Sequence, residues 1–184
     1  MTAANLRLVQ PLMASWRSLA LALLLLAGAA APALAFDQAG YRARLEATRA
    51  EVAGKTLAAP DATLARLDEM VAIGVAAAQE YAAREPKYAK LMEAVIANAS
   101  DMKTYSETQL EALWGEEGTG GDAIGMPLSS IGAEAPPRNV MELIVAPSMA
   151  AILVKKWQAT QRAKWLNQAG DELKELGEHL EQVK

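Results

Sequence analysis

The stretch Val140-Met-Glu-Leu-Ile-Val-Ala-Pro-Ser-Met-Ala-Ala-Ile-Leu-Val-Lys-Lys-Trp157 decides the fold. Val140, Met141, Leu143, Ile144 and Val145 leave almost no polar face at helical spacing, which implies burial on several sides. Pro147 is expected to kink or restart the helix. Met149, Ile152, Leu153, Val154 and Trp157 then carry the same character onward. Asn139, following Pro136-Pro137, reads as the cap of this helix. A helix of this kind needs neighbours around it, so the stretch is expected at the centre of a bundle. A homodimer interface is the alternative way to bury it.

The neighbours are legible on both sides. Towards the N-terminus, Tyr41, Leu45 and Val52 repeat at helical spacing behind Asp37, a capping residue, and Gly54 and Pro60 end that helix. Arg42, Arg44, Glu46, Arg49 and Glu51 cover its other face, so it should pack as an outer element. A second helix starts near Asp61, with Leu64, Leu67, Val71, Val75, Ala78 and Ala82 on one stripe that Met70 and Ile73 widen. Gly74 lies within that stripe, where it costs about 1 kcal/mol of helix propensity relative to alanine. A close approach by another helix is the expected compensation. Pro86 disfavours helical geometry at Glu85 and opens a third helix to Met102, so the two should form an antiparallel hairpin.

Ser106-Glu-Thr-Gln109 is a capping-box pattern and begins a short helix with Leu110, Leu113 and Trp114 on its apolar face. From Gly115 to Arg138 the composition changes to glycine, proline and serine, a long Gly/Pro-rich loop expected to border any site. After the central stretch, Leu166, Ala169, Leu173, Leu176, Leu180 and Val183 alternate steps of three and four. That seam is too short for a coiled coil and reads as the last bundle helix. No internal repeat and no window of sustained strand-like alternation is present. The expected fold is therefore all-α, a bundle of five to six helices forming one domain over residues 36–184.

The leader sets the compartment. Arg7 and Arg17 precede the apolar run Leu19 to Ala27, Pro32 breaks it, and Ala33-Leu-Ala35 offers small residues for cleavage. Residues 1–35 read as a cleavable Sec-type signal peptide, which implies export, to the periplasm in a host with two membranes. The apolar run is short of the roughly 20 residues of a spanning anchor, so no stable membrane span is expected after cleavage. The formal net charge of the chain is −4. Because the leader carries arginines and no acids, the remainder is more acidic still. That balance argues against nucleic acid as a partner. The absence of cysteine excludes thiolate chemistry, iron–sulfur clusters and disulfide stapling.

Chemical motifs are sparse. His179 is the only histidine. Glu175 shares its helix face, but a metal site needs three or four ligands. A di-iron Glu-x-x-His motif would need glutamate where Leu176 stands. The simpler reading of His179 is a histidine near a helix C-terminus, a position favourable to the dipole. Gly118-Thr-Gly-Gly-Asp122 lacks the strand-before, helix-after context of a dinucleotide fingerprint and the alternating ligands of an EF-hand loop. Ser129 and Ser130 lack a nucleophile-elbow context. Most of the methionines sit on apolar helical stripes, where core filling explains them. No cofactor is expected.

These readings imply an exported, non-enzymatic helical protein that binds a partner protein or a small apolar ligand. The expected contact residues are Trp114, Met126, Met141 and Trp157, lining an apolar groove between helices. The alternatives are a small hydrolase using the loop acids Glu116, Glu117, Asp122 and Glu134, and a cofactor- or metal-carrying bundle with His179 as one ligand. For the leader, N-terminal sequencing of the exported protein should return Phe36 as the first residue. A chain that keeps residues before Phe36 would overturn the cleavage reading.

Overall fold

The computed structural model describes residues 36–183. The leader and its cleavage site, up to Ala35, lie outside the described residues. Six α-helices follow in order: α1 (Gln38–Val52), α2 (Pro60–Arg84), α3 (Ala89–Met102), α4 (Glu107–Trp114), α5 (Pro136–Thr160) and α6 (Ala163–Gln182). Among the described residues there is no strand, and no helix is long and apolar enough to cross a membrane. The all-α bundle is the observed fold.

Local chemistry sets most helix ends. The Asp37 side chain accepts from the Gly40 amide at 2.8 Å and starts α1. Ser106 and Gln109 form the reciprocal capping box at α4, satisfying two amides that have no partner within the helix. Pro86–Tyr88 forms one 3-10 turn that leads into α3. The short connection folds α3 back on α2 as the expected hairpin. Only Gln161 and Arg162 separate α5 from α6, and Gln161 takes the left-handed conformation (φ 54°) that reverses the chain.

α5 is the centre. Nearly all of its residues from Pro137 to Val154 are buried, and α2, α3, α4 and α6 all pack against it. α6 buries Leu166, Ala169, Leu173, Leu176 and Leu180, the expected seam. α2 differs slightly from expectation. Its deepest stripe is Thr63, Leu67, Met70, Gly74, Ala78 and Tyr81, while Leu64, Val71, Val75 and Ala82 are half-buried at the edge. The face is the expected one, rotated because α5 docks on the Gly74 side.

Two expectations about α5 need correction. Asn139 is no cap, because the helix already starts at Pro136, with Ala135 in the capping position. Prolines fit the first turn of a helix, where their missing amides have no helical partner. Pro147 does not restart the helix, which runs through it as one element. A proline at this position has no amide for the Leu143 carbonyl one turn earlier. The Tyr41 hydroxyl of α1 takes that place, donating to Leu143 O at 2.8 Å within the core. Burial, with a smaller contribution from Glu142, holds the Tyr41 pKa well above its ordinary value, so the hydroxyl keeps its proton to donate. Gly74 gives the space: a Cβ there would stand 2.3 Å from the same carbonyl oxygen.

The segment Gly115–Ala135 winds through two 3-10 turns, Asp122–Ile124 and Leu128–Ser130. It inserts Leu128, fully buried, and Ile131 into the core. Gly125 at φ 71° makes the left-handed turn between them.

The Tyr41–Leu143 contact has measurable consequences. Tyr41→Phe should cost about 1–3 kcal/mol in urea denaturation, because it leaves a buried carbonyl unpaired. In a Pro147→Ala background the cost should fall by more than half, since the new amide can donate to Leu143 O. Gly74→Ala should destabilise by about 1–3 kcal/mol through overpacking.

Candidate functional site

A cleft of about 360 Å³, partly open to solvent, lies between α4, α5 and α6 and the start and end of the long connecting segment. Each helix contributes a stripe at steps of three and four: Arg138, Glu142, Val145 and Met149 from α5, and Glu172, Glu175 and His179 from α6. α4 adds Glu111 and Trp114, and the segment adds Glu116 at the rim. The result is an apolar floor with an acidic wall. Five glutamates line it against one arginine.

That arginine is committed elsewhere. Arg138 is 3% exposed, and its guanidinium donates to the carbonyls of Trp114 at 3.3 Å, Gly115 at 3.2 Å and Glu116 at 2.7 Å. These lie at the C-terminal end of α4, whose carbonyls have no helical partners. A cation there also suits the negative end of the helix dipole. Arg138 therefore clamps α4 and its exit to α5, and leaves the acidic wall in excess.

The electrostatics show the excess. Burial pushes the Glu142 carboxyl up to about 7. Arg138 opposes this, and Glu172, Glu111 and Glu175 add to it. Glu172 is also raised to about 7, first by burial and then by Glu175, Glu111 and Glu107. Both acids are thus poised near neutrality, as groups at functional sites often are. His179 moves the other way. Burial lowers its pKa below the usual 6.5, with Glu175 opposing and Arg138 assisting. It is therefore a neutral imidazole at pH 7 and offers the helix dipole little charge there. Its Nδ1 lies 2.7 Å from Asn139 Oδ1.

The expected contact residues are dispersed. Trp114, 2% exposed, borders the cavity, and its indole Nε1 is buried without a hydrogen-bond partner among the described residues. Met141 is fully buried in the core, and Met126 is half-buried in the connecting segment. Trp157 stands sixteen residues beyond Met141 on α5, a separation of about 24 Å at helical rise. The four therefore do not line one groove. An apolar groove of about 400 Å³ does exist, formed by Val71 and Val75 of α2, Ile96 and Ala99 of α3, and Pro147 and Ala151 of α5. Of the loop acids, Glu117, Asp122 and Glu134 are exposed, and only Glu116 reaches the cavity rim. The carboxyls raised towards neutrality are on α5 and α6 instead. Among the described residues no group of three His, Asp or Glu side chains is placed to hold a metal ion.

The sequence pattern gave no site role to Glu142, Glu172 or Arg138, and marked Asn139 only as a helix cap. One signal was available for Glu142, the sole charged residue between Val140 and Val154. An acid inside so apolar a run has either a partner or a task.

No protein-family model, no curated protein and no solved structure matches this chain.

The raised acids make stability depend on pH. Between their ordinary value of 4.5 and about 7 the folded state holds more protons than the unfolded chain. Their contribution is therefore complete below pH 4.5 and is lost as pH rises through 7. His179 contributes in the opposite sense below 6.5. Glu142→Gln, which removes one such carboxylate, should raise stability at pH 8 by about 1–3 kcal/mol and leave it nearly unchanged at pH 5. Urea denaturation at both pH values checks this, and equal effects at the two would contradict the assignment.

Proposed function

We propose that this is an exported, non-enzymatic helical protein that holds a small organic cation in the α4–α5–α6 cavity. The observation that carries the reading is the acidic wall: the half-buried Glu142 and Glu172, with the exposed Glu111, Glu116 and Glu175 around them, line a cleft whose only guanidinium is bound to three backbone carbonyls. A cation entering that volume adds to the single countercharge that Arg138 supplies, and the half-buried position of Glu142 and Glu172 strengthens its attraction. Trp114, Val145, Ala146 and Met149 offer apolar contact to the ligand's carbon skeleton. A compact metal ion fits less well, because the carboxylates line different walls and do not converge. The volume suits a ligand of roughly ten to fifteen heavy atoms, at the lower end of small-molecule sites.

Export has its own support. The backbone nitrogen of Phe36 lies 3.2 Å from Glu80 Oε2, and the Phe36 ring packs edge-on against Tyr41 at 6.2 Å. Cleavage before Phe36 would turn that nitrogen into an ammonium already facing a carboxylate.

Titration calorimetry with three five-carbon compounds tests the cation reading. 1,5-Diaminopentane should bind at pH 8, whereas 1,5-pentanediol and glutarate should bind at least about tenfold more weakly or not at all. Preference for the diol or the dianion would overturn it.

A further inference from the structure

Charge is unevenly spread along this bundle. No acid stands between Glu142 and Asp171, while Lys155, Lys156, Arg162 and Lys164 all fall within that interval, around the turn from α5 to α6. Hydrogen bonds bring other segments to the same end. Lys155 Nζ donates to Lys103 O at 2.9 Å, and Gln158 Nε2 donates to Asp61 Oδ1 at 3.2 Å, so the end of α3 and the start of α2 meet here. Lys103 is paired with Asp68 and Lys156 with Glu107. Lys155, Arg162 and Lys164 are exposed and have no acidic partner among the described residues.

Fold stability does not explain these cations. The last carbonyls of α5 are taken by Gln161, whose side chain donates to Trp157 O at 3.4 Å and to Gln158 O at 3.1 Å. Arg162 and Lys164 stand at the start of α6, which has no acid in its first turn and no side-chain cap. Cations at that end oppose the helix dipole. Trp165 lies among them, half-buried, with Lys164 Nζ at 3.9 Å and Lys156 Nζ at 4.6 Å from its ring centre. Its indole Nε1 donates to Thr160 Oγ1 at 3.1 Å, so the polar edge of the ring is met within the turn.

We propose that this end of the bundle docks on a membrane surface rich in anionic phospholipid, with Lys155, Arg162 and Lys164 facing headgroup phosphates and Trp165 entering the interface. Cations near an anionic leaflet are each attracted to it, and the amphipathic tryptophan ring favours the headgroup level. The acidity of the whole chain does not cancel this. Glu172, in the acidic cleft, is eight residues beyond Lys164 on α6, about 12 Å at helical rise and beyond the roughly 8 Å Debye length at physiological salt. Asp61 and Asp101 at the docking end temper the charge, so the attachment is peripheral and sensitive to salt. The compartment comes from the export reading, which puts lipid rather than nucleic acid within reach; the cation cleft plays no part.

Vesicle co-sedimentation of protein purified from the exported fraction tests this. At low salt, vesicles of phosphatidylcholine with phosphatidylglycerol should bind at least about tenfold better than pure phosphatidylcholine, and 1 M salt, with its short Debye length, should abolish the difference. Arg162→Gln with Lys164→Gln should weaken binding at least about fivefold while thermal stability stays equal or rises. Lys87→Gln with Lys90→Gln, the same charge change at the start of α3, should leave binding within about twofold. Trp114 and Trp157 are buried, so a blue shift of tryptophan emission on anionic vesicles should come from Trp165 and vanish in Trp165→Phe. Equal binding to both vesicles, no binding at low salt, or an equal loss in the Lys87 and Lys90 pair would overturn the inference. Binding to duplex DNA with none to vesicles would give the surface to another polyanion and overturn the lipid assignment. These outcomes leave the export reading to N-terminal sequencing and the cleft to calorimetry.

Discussion

The carbonyl of Leu143 is the point on which the architecture turns. Pro147 removes the amide that would have paired with it, and an unpaired carbonyl in the centre of a bundle is costly. Tyr41 supplies the missing donor from α1. Gly74 lets α2 approach so closely that a single methyl group would collide with the same oxygen. Three helices are thereby brought to one atom, and α5 loses its freedom to rotate or slide. Ser148 donates to Ile144 O at 2.7 Å beside it, so the polar groups around the proline are satisfied locally.

Fixing α5 has consequences on its opposite side. Glu142 is adjacent to Leu143 in sequence, so the rotation that presents Leu143 to α1 and α2 turns Glu142 towards α4 and α6. The same constraint places Arg138 one turn earlier, against the end of α4, and Asn139 against His179. The helix that makes the core thus also builds the site. Tyr41 and Glu142 even influence one another electrostatically across it. An acidic cavity held open in this way is a source of instability at neutral pH, the kind of local sacrifice that binding sites commonly show.

Much of the framework could be read from spacing. The α6 seam at Leu166, Leu173 and Leu180, the capping box at Ser106, the Asp37 cap and the hairpin at Pro86 are local patterns, and local hydrogen bonding or periodicity decides them. Gly74 was legible as a close approach because glycine in a helix interior needs compensation. The errors arose where local rules compete. Asn139 has the chemistry of a cap, but Pro136-Pro137 satisfy the first turn without it, freeing its amide for Glu134 and His179. Trp114, Met126, Met141 and Trp157 share a chemical type but not a location, because two of them are sixteen residues apart on one rigid rod.

What the sequence determined by itself is the all-helical character, the helix ends and the identity of α5 as the buried element, since each follows from residues within a few positions of one another. What only the tertiary structure decided is which polar groups meet. Glu111, Glu142, Glu172 and His179 come from three helices, and nothing in their spacing says that these faces converge. Their convergence follows from the rotation of α5, set by one carbonyl, one hydroxyl and one missing side chain far apart in the chain. The raised carboxyls exist only where those faces meet, because burial and neighbouring charge produce them.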